Sequence, residues 1–492
     1  MAQVLLIKNG NVLDGSGAPA VRADVLIRGP KIIGVGRFAE KPDMQVIDAE
    51  GAYVAPGFID SHNDADRYLS ILRDPGQGHV LRQGFTTIIG GVSGVSLAPL
   101  LYGSTDIFRD VADTNGININ WRTLGEMWRA IADIRPAVNF ATFCGYDTVR
   151  EGVAGGHLRQ LTENERRVAL MLIHRSLDEG AMGVAINDPS QVSKEELAQS
   201  ARSVAFAKRL LSFQLPDTVE NARQSLQTVL RIAAANGAPL YAGRVLPRKE
   251  EAEGWLSIIE KLDSEGVPFA VRISDFASVK LCSLLSSSIQ KEGRPMVLSK
   301  LWDEWHFRRI AAELPEYSLE EAYISAAPGQ DYLVGMSLFD YAQARGVSNP
   351  QIALATLMRE TQLRGAIMSR LLDKSVNAVA WRSSHALISS TGADYLFYQA
   401  HKPVEPGTSS ISKFLSTATK EGWIPRAVRQ LTSVPARVFG LEKRGFGSLL
   451  TGSASDVVVF WSGDIRSVVV AGRVAWKDGK STGERSGRTL PL

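Results

Sequence analysis

Two short runs carry the side chains best suited to proton transfer. Histidine is the side chain whose charge changes near neutral pH, and His62-Asn63-Asp64 and Ser384-His385 each hold one. His62 with Asp64 reads either as a proton-transfer pair or as a hydrogen-bonded pair inside the fold, and both readings stay open. His385 alone suits a general acid or base. Ser384 and His385 are adjacent, so on an extended strand they point to opposite faces and do not form a nucleophile pair. Ser93 lies in Gly91-Val92-Ser93-Gly94-Val95, which lacks the last glycine of a Gly-x-Ser-x-Gly elbow. It reads first as a turn serine. The two cysteines, Cys144 and Cys282, form no metal or redox motif and read as core or surface thiols. Arg166-Arg167 with His174-Arg175 reads as a solvated helix face.

These residues need a scaffold, and composition bounds it. The chain has 492 residues, 45% hydrophobic and 22% charged, which excludes disorder. Its 55 basic and 52 acidic residues leave a net charge of +3. Such balance argues against nucleic-acid or membrane binding as the main role. No apolar run reaches the ~20 residues of a bilayer span, and the first ten residues lack a signal-peptide pattern. With so few cysteines, a reducing cytoplasm is the expected location.

Both ends of the chain read as short strands and turns, while the middle alternates apolar strand-like runs with helical spacing. Residues 1–54 with 431–492 are therefore expected to make one small β-sandwich domain. Residues 55–430 are expected to form a (β/α)8 barrel. Its strand candidates are Gly57–Ser61, Thr86–Gly90, Asn139–Gly145, Gly180–Ile186, Leu211–Leu215, Pro239–Gly243, Pro268–Ser274 and Ala378–Ser383. Arg202–Leu210 and Glu220–Asn236 have helical spacing. An excursion over about 280–333 breaks the rhythm, and its Trp302 and Trp305 are candidates for an apolar wall over the site.

At Ala55-Pro56-Gly57-Phe58-Ile59-Asp60-Ser61-His62 the sequence resembles the amidohydrolase superfamily. Gln83-Gly84-Phe85-Thr86-Thr87 through Gly94-Val95-Ser96-Leu97-Ala98-Pro99 resembles its N-acyl-D-amino-acid deacylase branch. So do Gly237-Ala238-Pro239, His401 with Gly407-Thr408, Leu431-Thr432-Ser433-Val434-Pro435-Ala436-Arg437 and Gly452–Phe460. The resemblance implies a metal-carrying barrel with ligands at the C-terminal strand ends. It also implies that most ligands are replaced here. The family's His-x-His is His62-Asn63-Asp64, and the thiolate position is Ser93. The ligand positions after strands five and six are Gln214 and Arg244, and the strand-three Gly-His is Gly145-Tyr146. The catalytic Asp is assigned to Ser384, beside Arg382.

Hydroxyl and amide groups are poor zinc donors, and Arg cannot be deprotonated. No cofactor is therefore expected; zinc is expected only if these assignments are wrong. The leading reading is an enzyme with a reassigned, metal-poor barrel mouth. His62, Asp64 and His385 would move protons. Arg244 and Arg382, with Gln214, Ser93, Ser384 and Tyr146, would hold a small anionic substrate for C–N or ester hydrolysis, or a lyase-type reaction. Arg244 needs a counter-charge, either that substrate or Asp64; Asp66, Asp217 and Asp275 are further candidates. Two alternatives stand beside this: an inactive homologue that binds a ligand or partner subunit, and an ordinary zinc N-acyl-D-amino-acid deacylase. Homo-oligomerisation stays open.

Overall fold

Alternating apolar residues build five strands at the start of the chain: β1 (Val4–Val12), β2 (Val21–Arg28), β3 (Lys31–Gly36), β4 (Gln45–Asp48) and β5 (Tyr53–Pro56). The computed structural model describes residues 3–155, 159–390 and 410–492. Parallel strands follow: β6 (Phe58–Asp60), β7 (Phe85–Gly90), β8 (Asn139–Thr142), β9 (Cys144–Gly145), β10 (Gly183–Ile186), β11 (Leu210–Gln214), β12 (Leu240–Val245) and β13 (Phe269–Arg272). Then come β14 (Ala277–Lys280), β15 (Ala322–Ala326), β16 (Ala366–Ser369) and β17 (Ala386–Ser389). The chain finishes with β18 (Val457–Trp461), β19 (Asp464–Val470), β20 (Arg473–Lys477) and β21 (Lys480–Ser481).

Strands from both ends share one nine-stranded sheet, joined where β5 pairs antiparallel with β18. It is a single hydrogen-bonded sheet, not the two separate sheets of a sandwich. The reason lies in β1, whose first half pairs with β4 and whose second half pairs with β5, on either side of an irregularity between Ile7 and Gly10. Leu5, Ile7, Val25, Val457 and Val469 pack into one core on one face. Val458, Phe460, Val468 and Val470 point the other way, into the core of the parallel strands.

The parallel strands form ladders β6-β7-β8 and β9-β10-β11-β12-β13-β17. β8 and β9 are one strand interrupted at Phe143. Next to β17, the chain after β6 is held by side chains: Ser61 Oγ donates to Ile388 O at 3.0 Å, and Ser390 N donates to Asp60 Oδ1 at 3.1 Å. The intervening helices open with Ser/Thr-x-x-Glu capping boxes at Thr123–Glu126, Thr162–Glu165 and Ser193–Glu196. The expected helix over Arg202–Leu210 ends earlier, because Lys208 takes a left-handed conformation and Leu210 starts β11.

Two expectations need correction. Ala378–Ser383 is not the eighth parallel strand. Asp373 accepts from the N–H groups of Ser375 and Val376, and so starts a helix over Lys374–Ala380; the strand is β17. The excursion is also longer than 280–333. β14, β16 and β15 form their own antiparallel sheet with β16 central, over a separate core that includes Leu281, Leu301, Tyr341 and Ile367.

Candidate active site

Parallel strands gather the ends of their chains at one mouth. Just beyond β6, the Tyr241 hydroxyl donates to Ser61 O at 2.8 Å and fixes the start of the loop. His62 Nδ1 lies 2.5 Å from the Gly243 carbonyl oxygen. A carbonyl only accepts, so Nδ1 carries the proton and Nε2 faces inward. Nε2 stands 3.5 Å from Asp64 Oδ1, and among the described residues neither buried atom has a hydrogen-bond partner. Burial pushes the Asp64 carboxyl up, but His62 in its protonated form, then Arg67 and Arg272, outweigh it and hold Asp64 far below the usual carboxylate range. Asp66 accepts from the N–H groups of Arg67 (2.8 Å) and Gly91. Burial, and then the charge of Asp64, push Asp66 up to about 7. Gly91 is needed here: its φ is +73°, and a Cβ would meet Phe143 O at 2.4 Å.

Cations surround this pair. Arg244 follows Gly243 in β12, and its Nε is buried without an acceptor. Burial, then Arg272 and Arg67, push its guanidinium down to about 10. Arg272 ends β13 and is buried. Burial lowers the pKa of Arg67, but Tyr68, Asp64, Asp110 and Asp147 more than restore it. The carboxylates that might neutralise Arg244 are engaged elsewhere. Asp217 pairs with Arg248 at 2.6 Å, and Asp275 pairs with Arg370 at 2.6 Å and Lys374 at 3.1 Å. Asp64 faces His62. Among the described residues Arg244 makes no ion pair, so of the two partners considered for it the Asp64 pair does not form.

The other candidates divide between the mouth and elsewhere. Ser93 Oγ is buried without a partner. Gln214 Nε2 donates to Val92 O at 3.1 Å, and its Oε1 is left free. Tyr146 is turned into the helix layer, where its hydroxyl donates to Glu196 Oε1 at 2.7 Å. Arg382, Ser384 and His385 precede β17 and so lie at the opposite end of the strands from His62. There His385 Nδ1 is 2.8 Å from Asp263 Oδ1. The misplaced eighth strand accounts for all three. Cys144 is a buried thiol pushed up to about 12 by burial. Trp302 and Trp305, 71% and 64% exposed, build no wall. His157, His401, Gly407 and Thr408 lie outside the described residues. Sequence reasoning missed Arg67, Arg272 and Asp147. The signal for Arg272 was available, since it falls inside the expected strand Pro268–Ser274.

Residues 45–275 match the sequence profile of the amidohydrolase family. This stretch is an amidohydrolase-family domain, and the chain is consistent with the D-aminoacylase branch of that superfamily. Over 99% of its length it is 25% identical to a D-aminoacylase from Alcaligenes xylosoxydans xylosoxydans, covering 97% of that protein. It is 27% identical to an N-acyl-D-aspartate deacylase of the same organism, covering 99% of this chain and 94% of the relative. Its fold matches the N-acyl-D-glutamate deacylase from Bordetella bronchiseptica, solved with zinc and a phosphonate inhibitor, with a TM-score of 0.77, 21% identity and all of both chains covered. A D-aminoacylase structure described by its binuclear metal center matches with the same TM-score, 24% identity and 99% of each chain.

A two-metal centre can be tested against the donors at this mouth. His62 Nε2 and Asp64 Oδ1 are two free, strong donor atoms. Ser93 Oγ and Gln214 Oε1 add only a neutral hydroxyl and an amide oxygen. Arg244, Arg67 and Arg272 add positive charge to the same space. Placed after the observed β17, the position assigned to the catalytic Asp moves from Ser384 to Thr391, which lies outside the described residues. Among the described residues no three or more His, Cys, Asp or Glu are grouped to hold a metal ion. Among the described residues these donors do not fit two zinc ions, and His62 with Asp64 suits a single, weakly held cation. No helix of the described residues is long and apolar enough to cross a membrane.

Proposed function

We propose that this chain is a hydrolase of the amidohydrolase family with a reassigned, metal-poor mouth that acts on a small anionic substrate, most simply a carboxylate. The observation that carries this reading is Arg244, a half-buried guanidinium whose Nε is buried without an acceptor, with no ion pair among the described residues and two further arginines within electrostatic reach. Fixed cations in a water-poor site hold an anion and stabilise negative charge that develops during bond cleavage. His62, pinned through Nδ1, presents Nε2 toward Asp64, and this pair is the proton donor and acceptor for the bond being broken. C–N and ester bonds both suit such a pair. The anionic substrate is a small molecule; neither nucleic acid nor a membrane is invoked.

A zinc-dependent N-acyl-D-amino-acid deacylase is the second reading. It is favoured by the relatives and by the His62 Nδ1–Gly243 hydrogen bond, the bond that orients metal-ligating imidazoles. Elemental analysis of purified protein, with assays on N-acyl-D-amino acids before and after chelation, separates the two. The first reading expects well under one zinc per chain and little deacylation. One or two zinc ions per chain with robust, chelator-sensitive deacylation would overturn it.

A further inference from the structure

The opposite end of the parallel strands holds a second concentration of positive charge. Met182 precedes β10, Leu210 opens β11 and Pro239 precedes β12, so the cleft they line lies at the strands' N-terminal ends, away from His62 and Arg244. Its volume is about 490 Å³. Five cationic residues line it (Lys208, Arg209, Arg437, Lys443 and Arg444) against one acidic side chain, Glu442, and the carboxylate of Leu492. Among the described residues none of the five is in an ion pair; Arg444 Nη1 donates to the Pro491 carbonyl at 3.0 Å. The Arg209 Nε is buried without an acceptor. Burial and nearby Arg488 push the Arg444 guanidinium down.

A bland role accounts for part of this. Lys208 caps the helix Lys194–Ala207, Arg437 is in the last turn of Ser433–Val438, and Lys443 and Arg444 end the turn Leu441–Arg444. Cations are favourable at helix C-termini, but each such end supplies only about half a negative charge, and the effect fades within a turn. Five cations facing the Glu442 and Leu492 carboxylates leave an excess of three, still more than the roughly one and a half negative charges of three helix ends. Guanidinium forks match phosphate oxygens, and lysine adds point charge to them. A single carboxylate is too small and too weakly charged to meet five cations spread over this volume, whereas a chain of linked phosphates meets several at once.

We infer that this cleft is a binding site for a small polyphosphate, inorganic or carried on a nucleoside, separate from the mouth. The probes are sodium tripolyphosphate and ATP, titrated calorimetrically into the full chain. Both are expected to bind, and to weaken at least about tenfold between about 50 and 500 mM NaCl. Binding should fall at least about tenfold in the Arg437→Glu/Lys443→Glu double variant. The single exposed Lys443→Gln variant, whose folding is checked by its melt, should show a smaller loss in the same direction. The Arg244→Met variant should bind as wild type does. ATP binding about tenfold tighter than tripolyphosphate assigns part of the site to the nucleoside; equal affinity assigns it to the phosphates alone. The inference is overturned if neither probe binds, if both bind the charge-altered variants unchanged, or if binding is lost in Arg244→Met, which would move the polyphosphate to the mouth.

Discussion

Replacing Arg244 with methionine keeps most of the side-chain volume and removes the charge. The guanidinium is held at about 10 instead of 12.5 by burial, Arg272 and Arg67. The folded pKa of this cation is depressed, so its charged form opposes folding at neutral pH, and that opposition is relieved only as pH rises through about 10. The corresponding free energy is on the order of 3 kcal/mol. It is an upper bound on the gain from Arg244→Met, because a smaller side chain also gives up some packing. The variant should therefore melt at or a few degrees above wild type at pH 7. Its affinity for a carboxylate probe such as N-acetyl-D-glutamate should fall by the worth of charge-assisted hydrogen bonds, about 1.5–3 kcal/mol, or roughly 10- to 150-fold. Thermal melts and calorimetric titration of the same preparations read both effects. A variant about 2 kcal/mol less stable than wild type, largely repaired by adding Asp64→Asn, with no change in anion binding, would refute the reasoning. It would mean that Arg244 is held by Asp64 after all.

Three further outcomes follow from the same geometry. Burial pushes the Asp147 carboxyl up to about 7 from 3.8, so its neutral form favours the fold at low pH and that contribution is lost as pH rises through 7. Asp147→Asn should gain stability over wild type between pH 5 and pH 8, on the order of 2 kcal/mol; a pH-independent difference between the two melts would count against it. Gly243→Ala places a methyl 2.4 Å from Val92 Cγ1 and 2.9 Å from Ser212 Oγ. It should cost about 1–3 kcal/mol in denaturation and weaken the carboxylate probe as well; a variant with wild-type stability and binding would argue against the close packing. His385→Ala breaks only the partly exposed contact with Asp263 and should cost less than about 1 kcal/mol; loss of catalytic turnover in that variant would return His385 to the mechanism.

The parallel strands were legible where apolar runs are short and bounded by glycine or proline, as at Gly57, Pro239 and Pro268. The pattern fails at Ala378–Ser383. Ala, Val and Trp in an unbroken apolar run suit a buried strand and a short helix equally. What decides between them is Asp373, five residues upstream, whose side chain caps the first turn. The error then propagated, because a motif anchored to a strand inherits that strand's placement. Arg382, Ser384 and His385 were carried to the wrong end of the strands together. The excursion was underestimated for a different reason: its central strand, β16, lies over thirty residues beyond Leu333 and pairs with strands that precede it in sequence, a long-range pairing that local pattern does not carry.

At the mouth, residue types were legible but their partnerships were not. The chemistry of Ser93, Gln214 and Arg244 as poor metal donors follows from the side chains alone. Which carboxylate answers Arg244 does not, because Asp64, Asp66, Asp217 and Asp275 are equivalent on paper. The structure distinguishes them by what each already holds: His62, two backbone N–H groups, Arg248, and Arg370 with Lys374. One two-residue segment then couples both halves of the site. Gly243 has no side chain, so Val92 packs against its backbone and its carbonyl reaches His62 Nδ1. The next residue in β12 is Arg244. The orientation of His62 and the position of Arg244 are thus set by the same stretch of backbone, so under the proposed function a substrate anion that draws on Arg244 would act on the strand that fixes the His62 tautomer. The two functions cannot be tuned independently by substitutions in β12, whereas changes at Asp64 or Arg272 touch one without moving the other's backbone.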